Sequence, residues 1–541
     1  MNLMNINARL FENSAFRRAA CRHSLMLFAM TYFRHMFKFK IPEFHKIWYS
    51  LMSFRDPETR DRFKYLILCG FRESAKTSMA KIKIVHDICY RRKRLIGYVC
   101  YEKEASGEAL FDVVTWLTTN KRIIGDFGNL FDGESMDKRP EKKTMTNFVT
   151  TNGVRVTAYS IRQTARGKVF DMERPDCYVL DDFENLITKA SAALTRKAIN
   201  FIKEMMTGLA PDAEVIFVCN KVSDTGSVQW LMDMAQNNPE FRIQEVPVII
   251  DGKSAWPEMF VLTDKEAREI NRTIDNPKQL VRSLETYKRT LNSDGALFFE
   301  QEMLLQPIVQ GDRFFDIEKI DKRIAFLKEQ KWQDLVITGK NYKKVTNDWI
   351  IWGAMSKTNR MGIAADVSEG TGADSSVIQV YDFTRNKHIA EFESDGCPPE
   401  VLAKLMAEKG KEGGFCVVCP ERNSVGVSVI IQLKEWEGTG YPNIYREKTL
   451  DKISDRPVFK YGWHTNSQTK PHMLYELKRD FEAGLVEINS IPLLREMRSF
   501  TKSNLPYTNH DPEASNHFDR LMAFAIMWQL RNVVQIKGFQ T

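Results

Sequence analysis

Four apolar residues, Leu66-Ile67-Leu68-Cys69, run into Gly70-Phe71-Arg72-Glu73-Ser74-Ala75-Lys76-Thr77-Ser78, and a helical pattern follows at Met79-Ala80-Lys81-Ile82. The order is a buried strand, a small-residue turn, then a helix. Such a loop can wrap a phosphate in backbone N–H groups at the positive end of a helix. Lys76 then reaches the β- and γ-phosphates of ATP, and Thr77 offers its hydroxyl to Mg²⁺. Gly70, Arg72, Glu73, Ser74, Ala75, Lys76, Thr77 and Ser78 are therefore candidate nucleotide contacts. Ala75 stands where a glycine usually precedes the lysine, and the competing reading is an ordinary strand-to-helix turn with a surface lysine.

A second apolar run, Cys177-Tyr178-Val179-Leu180, ends on Asp181-Asp182. Carboxylates there emerge at the carboxyl end of a strand, where ligands sit on open α/β sheets. Asp181 is expected to share the Mg²⁺ with Thr77. The acid that orients the attacking water is Asp182, with Glu184 as runner-up. Acid pairs at strand ends also serve as helix caps. Transition-state charge calls for an arginine, either Arg72 in cis or Arg166, within Gln163-Thr164-Ala165-Arg166-Gly167-Lys168, reaching a neighbouring copy; a plain surface arginine is the other reading of Arg166. The polar loop from Asn220 to Gly226 follows the strand Val215 to Cys219 and is placed to sense a γ-phosphate.

In the second half, Asp366 ends the strand Gly362-Ile363-Ala364-Ala365, ahead of Gly370, Gly372 and Asp374 in a turn. Glu421 follows Phe415-Cys416-Val417-Val418-Cys419-Pro420, and Asp519 starts the helix Phe518 to Arg531. Each acid alone reads as a turn or cap residue. In the order strand end, strand end, helix start, the three can hold two Mg²⁺ or Mn²⁺ ions that clamp the water and leaving oxygen of a phosphodiester.

The elements that must position these groups are legible. From Leu66 to about Ile249, β-rich runs alternate with helical patterns, as a parallel α/β sheet requires. Strands are expected at Leu95 to Cys100, Val154 to Tyr159 and Ser376 to Tyr381. The helix opened by Pro42-Glu43-Phe44-His45-Lys46-Ile47-Trp48-Tyr49 either stacks on an adenine or packs on the sheet. The expected divisions are a helical arm over 1–40, a P-loop ATPase core over 41–255, a helical subdomain and linker over 256–345, and an RNase H-like α/β nuclease domain over 346–541.

The 541 residues exceed what one core normally holds. Against 70 Asp+Glu, 78 Lys+Arg leave a net charge of +8, a mild excess that suits a polyanion partner. The nine cysteines are scattered, as expected of small buried groups in a reducing compartment. Cys416 and Cys419 have metal-like spacing but no second pair, so they read as core. The apolar runs Ser24 to Phe33 and Leu521 to Leu530 are too short to span a bilayer. Arg17 and Arg18 before Leu25-Met26-Leu27-Phe28 mimic a signal peptide without a cleavage site, so a soluble cytoplasmic protein is expected.

A P-loop (ASCE, RecA-like) ATPase half followed by an RNase H-like half resembles the large terminase subunit of tailed bacteriophages, a DNA-packaging motor. The resemblance spans most of the chain. It also rests on Phe44-His45, Arg166-Gly167, Arg174-Pro175-Asp176, Gln301-Glu302 with Pro307, Glu421-Arg422-Asn423 with Gly426, and Gly462-Trp463-His464-Thr465-Asn466 with Thr469-Lys470. It implies that Lys76 and Thr77 bind ATP and Mg²⁺, that Arg72 is the P-loop arginine, and that Asn220 to Thr225 couple hydrolysis to movement. It implies Asp366, Glu421 and Asp519 as nuclease metal ligands; Lys470 reads either as a contact to the scissile phosphate or as a solvated lysine. Two positions depart from the family pattern: Ala75, and Asp181-Asp182 in place of Asp-Glu.

The implied partners are double-stranded DNA, a portal protein, a small terminase subunit and further copies of the chain in a ring, with no membrane. The implied location is the host cytoplasm, transiently docked on the prohead portal and absent from the mature virion. Competing functions are a helicase or repair-type ATPase fused to a nuclease, which needs helicase motifs after Asn220, and an inactive DNA-binding scaffold. All six central residues, Lys76, Thr77, Asp181, Asp366, Glu421 and Asp519, are chemically competent, which speaks against the scaffold.

Overall fold

The computed structural model describes residues 12–131, 145–163, 174–184, 192–221, 223–224, 226–236, 238–290, 295–306, 313–329, 335–337, 349–368, 375–423, 425–450, 457–506 and 518–533. The chain divides into two compact units, Met1–Ile308 and Val309–Thr541.

The first unit is built on a seven-stranded sheet of β1 (Tyr65–Gly70), β2 (Leu95–Cys100), β3 (Asn147–Val149), β4 (Arg155–Ser160), β5 (Cys177–Asp181), β6 (Glu214–Cys219) and β7 (Phe241–Val246). Their order is β3-β4-β2-β5-β6-β1-β7. Every neighbouring pair is parallel except the antiparallel edge pair β3 and β4. The central strands β1, β2, β5 and β6 are buried along their whole length. That follows from helices on both faces, which demand continuous apolar runs rather than alternation. Strand β6 lies between the loop-bearing β1 and the acid-bearing β5, the order of the additional-strand P-loop class. Two short pairs complete this unit: β8 (Ile249–Ile250) with β9 (Lys253–Ser254), and β10 (Phe260–Val261) with β11 (Arg282–Ser283).

Segments on either side of the expected core pack into it. Cys21, Phe28 and Phe33 belong to the same buried cluster as Leu66, Leu68 and Ile96, and so do Trp256, Phe260, Leu284, Phe299 and Met303. The helix Ser14–Arg22 is anchored by a buried ion pair, Arg17 to Asp126 at 2.5 Å, and the Tyr32 hydroxyl donates to the same carboxylate at 2.6 Å.

The second unit carries a six-stranded sheet of β12 (Leu335–Ile337), β13 (Trp349–Ile351), β14 (Met361–Asp366), β15 (Ser376–Asp382), β16 (Lys387–Ser394) and β17 (Val417–Pro420), ordered β12-β13-β16-β15-β14-β17. Strands β14, β15 and β16 form an antiparallel meander, and β17 adds parallel to β14. This is the RNase H-like arrangement, and it brings the carboxyl ends of β14 and β17 side by side. The helix Asp519–Gln529 covers one face, where Leu521, Phe524 and Trp528 pack with Ala364 and Tyr381. The helices Pro399–Glu412 and Gly426–Glu435 cover the other, where Leu402, Met406 and Val429 pack with Ile363, Ala365 and Val380. Beyond them, β18 (Arg446–Leu450) and β19 (Pro457–Tyr461) form an antiparallel pair. All nine cysteines are buried free thiols. Among the described residues no helix is long and apolar enough to cross a membrane.

Candidate functional site

In the first unit, β1 ends at Gly70 and the helix Lys76–Cys89 begins six residues on. Gly70 is held to glycine by crowding, since a Cβ there would meet the Trp48 ring at 2.7 Å and Ser74 Oγ at 2.8 Å. The loop is braced from below. His45 Nε2 lies 2.7 Å from the Ser74 carbonyl, and burial lowers its pKa to about 4, so the neutral ring donates this bond. Glu73 is paired with Arg282 at 2.5 Å. Ala75 sits in the left-handed region at φ 63° as the residue before the helix, the conformation a glycine would take without cost. Lys76 is buried, and it makes no hydrogen bond or ion pair with any other described residue. Ser74 Oγ is likewise buried and unpaired among the described residues.

The loop and the acid strand meet directly. Thr77 Oγ1 donates to Asp181 Oδ1 at 3.0 Å, and the Tyr98 hydroxyl on β2 donates to Asp181 Oδ2 at 2.6 Å. Burial, and then the neighbouring Asp182 charge, push the Asp181 carboxyl up to about 6, against the opposing pull of Tyr98, Thr77 and Lys76. A group with that pKa is ready to lose its proton to an arriving cation. Asp182 is exposed, with a strained φ of 45°. Glu184 is buried and occupied: Oε2 accepts from the Ser227 hydroxyl at 2.6 Å and from Val228 N at 2.9 Å, at the start of the helix Ser227–Ala235. Of the two acids offered by the sequence, Glu184 works as a helix-end acceptor and Asp182 faces solvent.

Two openings flank the start of the Lys76–Cys89 helix. An apolar cavity of about 250 Å³ is lined by Phe37, Phe39, His45, Tyr49, Met79 and Trp256, among others. A polar cleft of about 740 Å³ is lined by Thr77, Lys81, Tyr101, Glu102, Asp181 and Asp182, among others. Arg72 points elsewhere. Its guanidinium lies 3.9 Å from the Glu302 carboxylate and 5.6 Å from the Phe298 ring centre. Asn220, just after β6, donates from Nδ2 to Glu302 Oε2 at 2.6 Å. Arg166 and Thr225 lie outside the described residues.

In the second unit, pairing of β14 with β17 sets Asp366 next to Glu421, whose N–H donates to the Ala365 carbonyl at 2.8 Å. Gly426 makes this turn possible: a Cβ there would lie 1.7 Å from the Glu421 carbonyl oxygen. Asp519 reaches the cluster from its helix, and its Oδ2 accepts from Ser375 N at 3.1 Å. Burial, followed by the charges of Glu421 and Asp519, pushes the Asp366 carboxyl well above its ordinary range, and its retained proton bonds to Glu421. Asn423 Nδ2 donates to Glu421 Oε1 at 3.0 Å and to the Thr465 carbonyl at 2.8 Å. Asn423 Oδ1, Thr465 Oγ1 and Trp463 Nε1 are buried and unpaired among the described residues. Burial lowers the Lys470 pKa and the Glu421 charge opposes that; its Nζ donates to the Pro506 carbonyl at 3.3 Å. Gly370, Gly372 and Asp374 lie outside the described residues.

No group of three or more His, Cys, Asp and Glu side chains among the described residues is close-set enough to cage a metal ion as it stands. The donor chemistry of the second cluster nonetheless fits a hard divalent cation. It offers oxygens alone, two of them on acids that share one proton because their charges repel.

Sequence reasoning had no signal for Tyr98, which lies in an apolar strand, or for the hold of Glu302 on Asn220. The helix Asp519–Gln529 is steadied by Arg520, which is paired with Glu391 at 3.0 Å, Glu496 at 3.3 Å and Glu393, another grouping without a local pattern.

The two units thus define a P-loop ATPase-type fold followed by an RNase H-like nuclease-type fold. No family model and no curated protein matches the chain. Among solved structures it is similar to the large terminase of bacteriophage HK97, at 12% identity and a TM-score of 0.42, covering 90% of this chain and 94% of that one. It is also similar to a full-length large terminase from a thermophilic bacteriophage, at 10% identity and a TM-score of 0.28, over 90% of this chain and 98% of that one. A third likeness is to the large terminase nuclease of thermophilic phage G20c with bound magnesium, at 18% identity and a TM-score of 0.25, over 34% of this chain and 86% of that one.

Proposed function

We propose that this chain is the motor subunit of viral DNA packaging, in which ATP hydrolysis drives double-stranded DNA into the prohead and a two-metal endonuclease cuts concatemeric DNA. The observation that carries this reading is the presence in one chain of a phosphate loop wired to a strand-end acid, Thr77 to Asp181, and of the Asp366, Glu421 and Asp519 cluster.

In the first unit the loop amides and Lys76 bind the ATP phosphates, and the apolar cavity beside Met79 and Trp256 takes the base. Thr77 and Asp181 hold Mg²⁺. Asp182, in the polar cleft, orients the attacking water and accepts its proton. Arg72 is the arginine nearest the loop, and Arg166 of a neighbouring copy is the candidate for a second. In the second unit Asp366, Glu421 and Asp519 hold two Mg²⁺ or Mn²⁺ ions, and Lys470 steadies the phosphate. The bound cations supply charge that activates water and stabilises the leaving oxygen. Copies of the chain act as a ring on the portal protein in the host cytoplasm, with a small terminase subunit selecting the DNA, and none remain in the mature virion.

The test is plasmid cleavage and ATP turnover measured on the same preparations. Lys76→Ala is expected to abolish turnover and leave cutting within roughly threefold of the parent, while Asp366→Ala does the reverse. Cutting that survives Asp366→Ala would remove the nuclease from this reading.

A further inference from the structure

Residues 301 and 302 are some 230 positions from the phosphate loop in sequence and directly against it in the fold. Glu302 closes the helix Gly295–Glu302, where a carboxylate opposes the negative helix end and needs partners to be retained. It has them. Its carbonyl accepts from Arg72 N at 2.8 Å, inside the phosphate loop. Its Oε2 accepts from Asn220 Nδ2 at 2.6 Å, and the Arg72 guanidinium stands 3.9 Å from the same oxygen, too far for a hydrogen bond. Asn220 is thus held firmly and Arg72 loosely, by one carboxylate whose side chain is only 12% exposed.

The pairing also decides which way Asn220 faces. A carboxylate can only accept, so the amide nitrogen must turn to Glu302. Asn220 Oδ1 is then turned away, buried and unpaired among the described residues, at the head of the loop that follows β6. That loop ends at the helix Ser227–Ala235, whose first turn is tied to Glu184 two residues beyond Asp182. The segment between β6 and this helix is therefore gripped at both ends by acids that lead back to the phosphate loop and to the acid strand.

We propose that Glu302 is a positioning residue for ATP hydrolysis: its carboxylate orients Asn220 toward the nucleotide and keeps the Arg72 guanidinium beside the phosphate loop. This rests on the ATPase reading of the first unit. An arriving γ-phosphate is a stronger partner for Arg72 than an acid 3.9 Å away, so the arginine can transfer while Asn220 stays fixed.

The experiment is steady-state ATP turnover by the full chain with Glu302→Ala, Glu302→Gln, Asn220→Ala and the double variant Glu302→Ala/Asn220→Ala, each checked for folding by its melting curve. Glu302→Ala is expected to lower kcat roughly tenfold or more with KM within about twofold, because an orienting contact rather than a binding contact is lost. Glu302→Gln should recover most of kcat, since its amide oxygen still accepts from Asn220. Asn220→Ala should match Glu302→Ala, and the double variant should be no worse than either single one. A kcat within twofold of the parent in a folded Glu302→Ala, a Glu302→Gln as poor as Glu302→Ala, or losses that multiply in the double variant would overturn the assignment. If Glu302→Ala does not fold, the Gln variant and Asn220→Ala carry the test by the same criteria. Lys76→Ala run alongside separates the two failures: turnover that survives it sinks the ATPase reading and this assignment together, whereas turnover that depends on Lys76 and ignores Glu302 sinks this assignment alone.

Discussion

The two acid sites solve the same electrostatic problem in opposite ways. Around Asp181 the chain supplies its own relief: hydroxyls from Thr77 and Tyr98, the buried Lys76 ammonium and the positive end of the Lys76–Cys89 helix. Around Asp366 the nearest charges are Glu421 and Asp519, both repulsive, and one proton is retained to keep the cluster tolerable. A site that is neutralised from within is organised before its ligand arrives. A site that repels itself is organised by the cation it binds, which is why its acids need no close-set cage in advance.

This contrast breaks most sharply at the level of activity. Asp182→Asn is expected to cost about a thousandfold in ATP turnover, as loss of a proton acceptor does, whereas Glu184→Gln should cost about tenfold through a weakened start of the helix Ser227–Ala235. Equal losses in the two would return the catalytic acid to an open choice. Arg520→Ala is expected to destabilise the second unit by about 3–5 kcal/mol in denaturant unfolding, because Glu391, Glu393 and Glu496 are left without their shared cation. A loss below about 1 kcal/mol would show that these acids find other partners.

Acid titration sharpens the comparison further. Asp181 has a folded pKa raised from 3.8 to about 6, so the stability it contributes is complete below pH 3.8 and is lost as pH rises through 6. In metal-free buffer, Asp181→Asn should therefore gain on the parent between pH 4 and 7, by about 3 kcal/mol if its hydrogen bonds to Thr77 and Tyr98 are kept. The same sign holds for Asp366, raised further, so Asp366→Asn should gain over a window extending to higher pH. Mn²⁺ should raise the melting transition of the second unit in the parent and not in Asp366→Asn, since a ligand stabilises only the state that binds it. The smallest effect is at Ala75, where Ala75→Gly should stabilise the fold by about 1 kcal/mol by relieving the left-handed backbone. A destabilised Ala75→Gly would mean that the methyl group packs usefully.

What the sequence determined by itself was local and contiguous. The phosphate loop, its strand and its helix lie within 25 residues, and the expected strands at 95–100, 177–180 and 362–365 match β2, β5 and β14 to within one residue. Apolar runs and glycine-rich turns are legible because hydrophobic patterning and backbone freedom act over a few positions. The strand-end placement of Asp181, Asp366 and Glu421 was legible for the same reason. The pairings were not. That Tyr98 meets Asp181, that Glu184 is engaged by the helix Ser227–Ala235, that Glu302 holds Asn220 beside Arg72, and that Arg520 gathers three carboxylates all depend on strand order and helix packing. No periodicity records these, because a hydrogen bond between residues 80 or more positions apart is fixed only once the sheet has chosen its neighbours. The segments at 12–40 and 256–306 make the same point: their helices read as peripheral, yet Phe28, Trp256 and Phe299 complete the first core, since apolar surface buries wherever the tertiary fold offers it a partner.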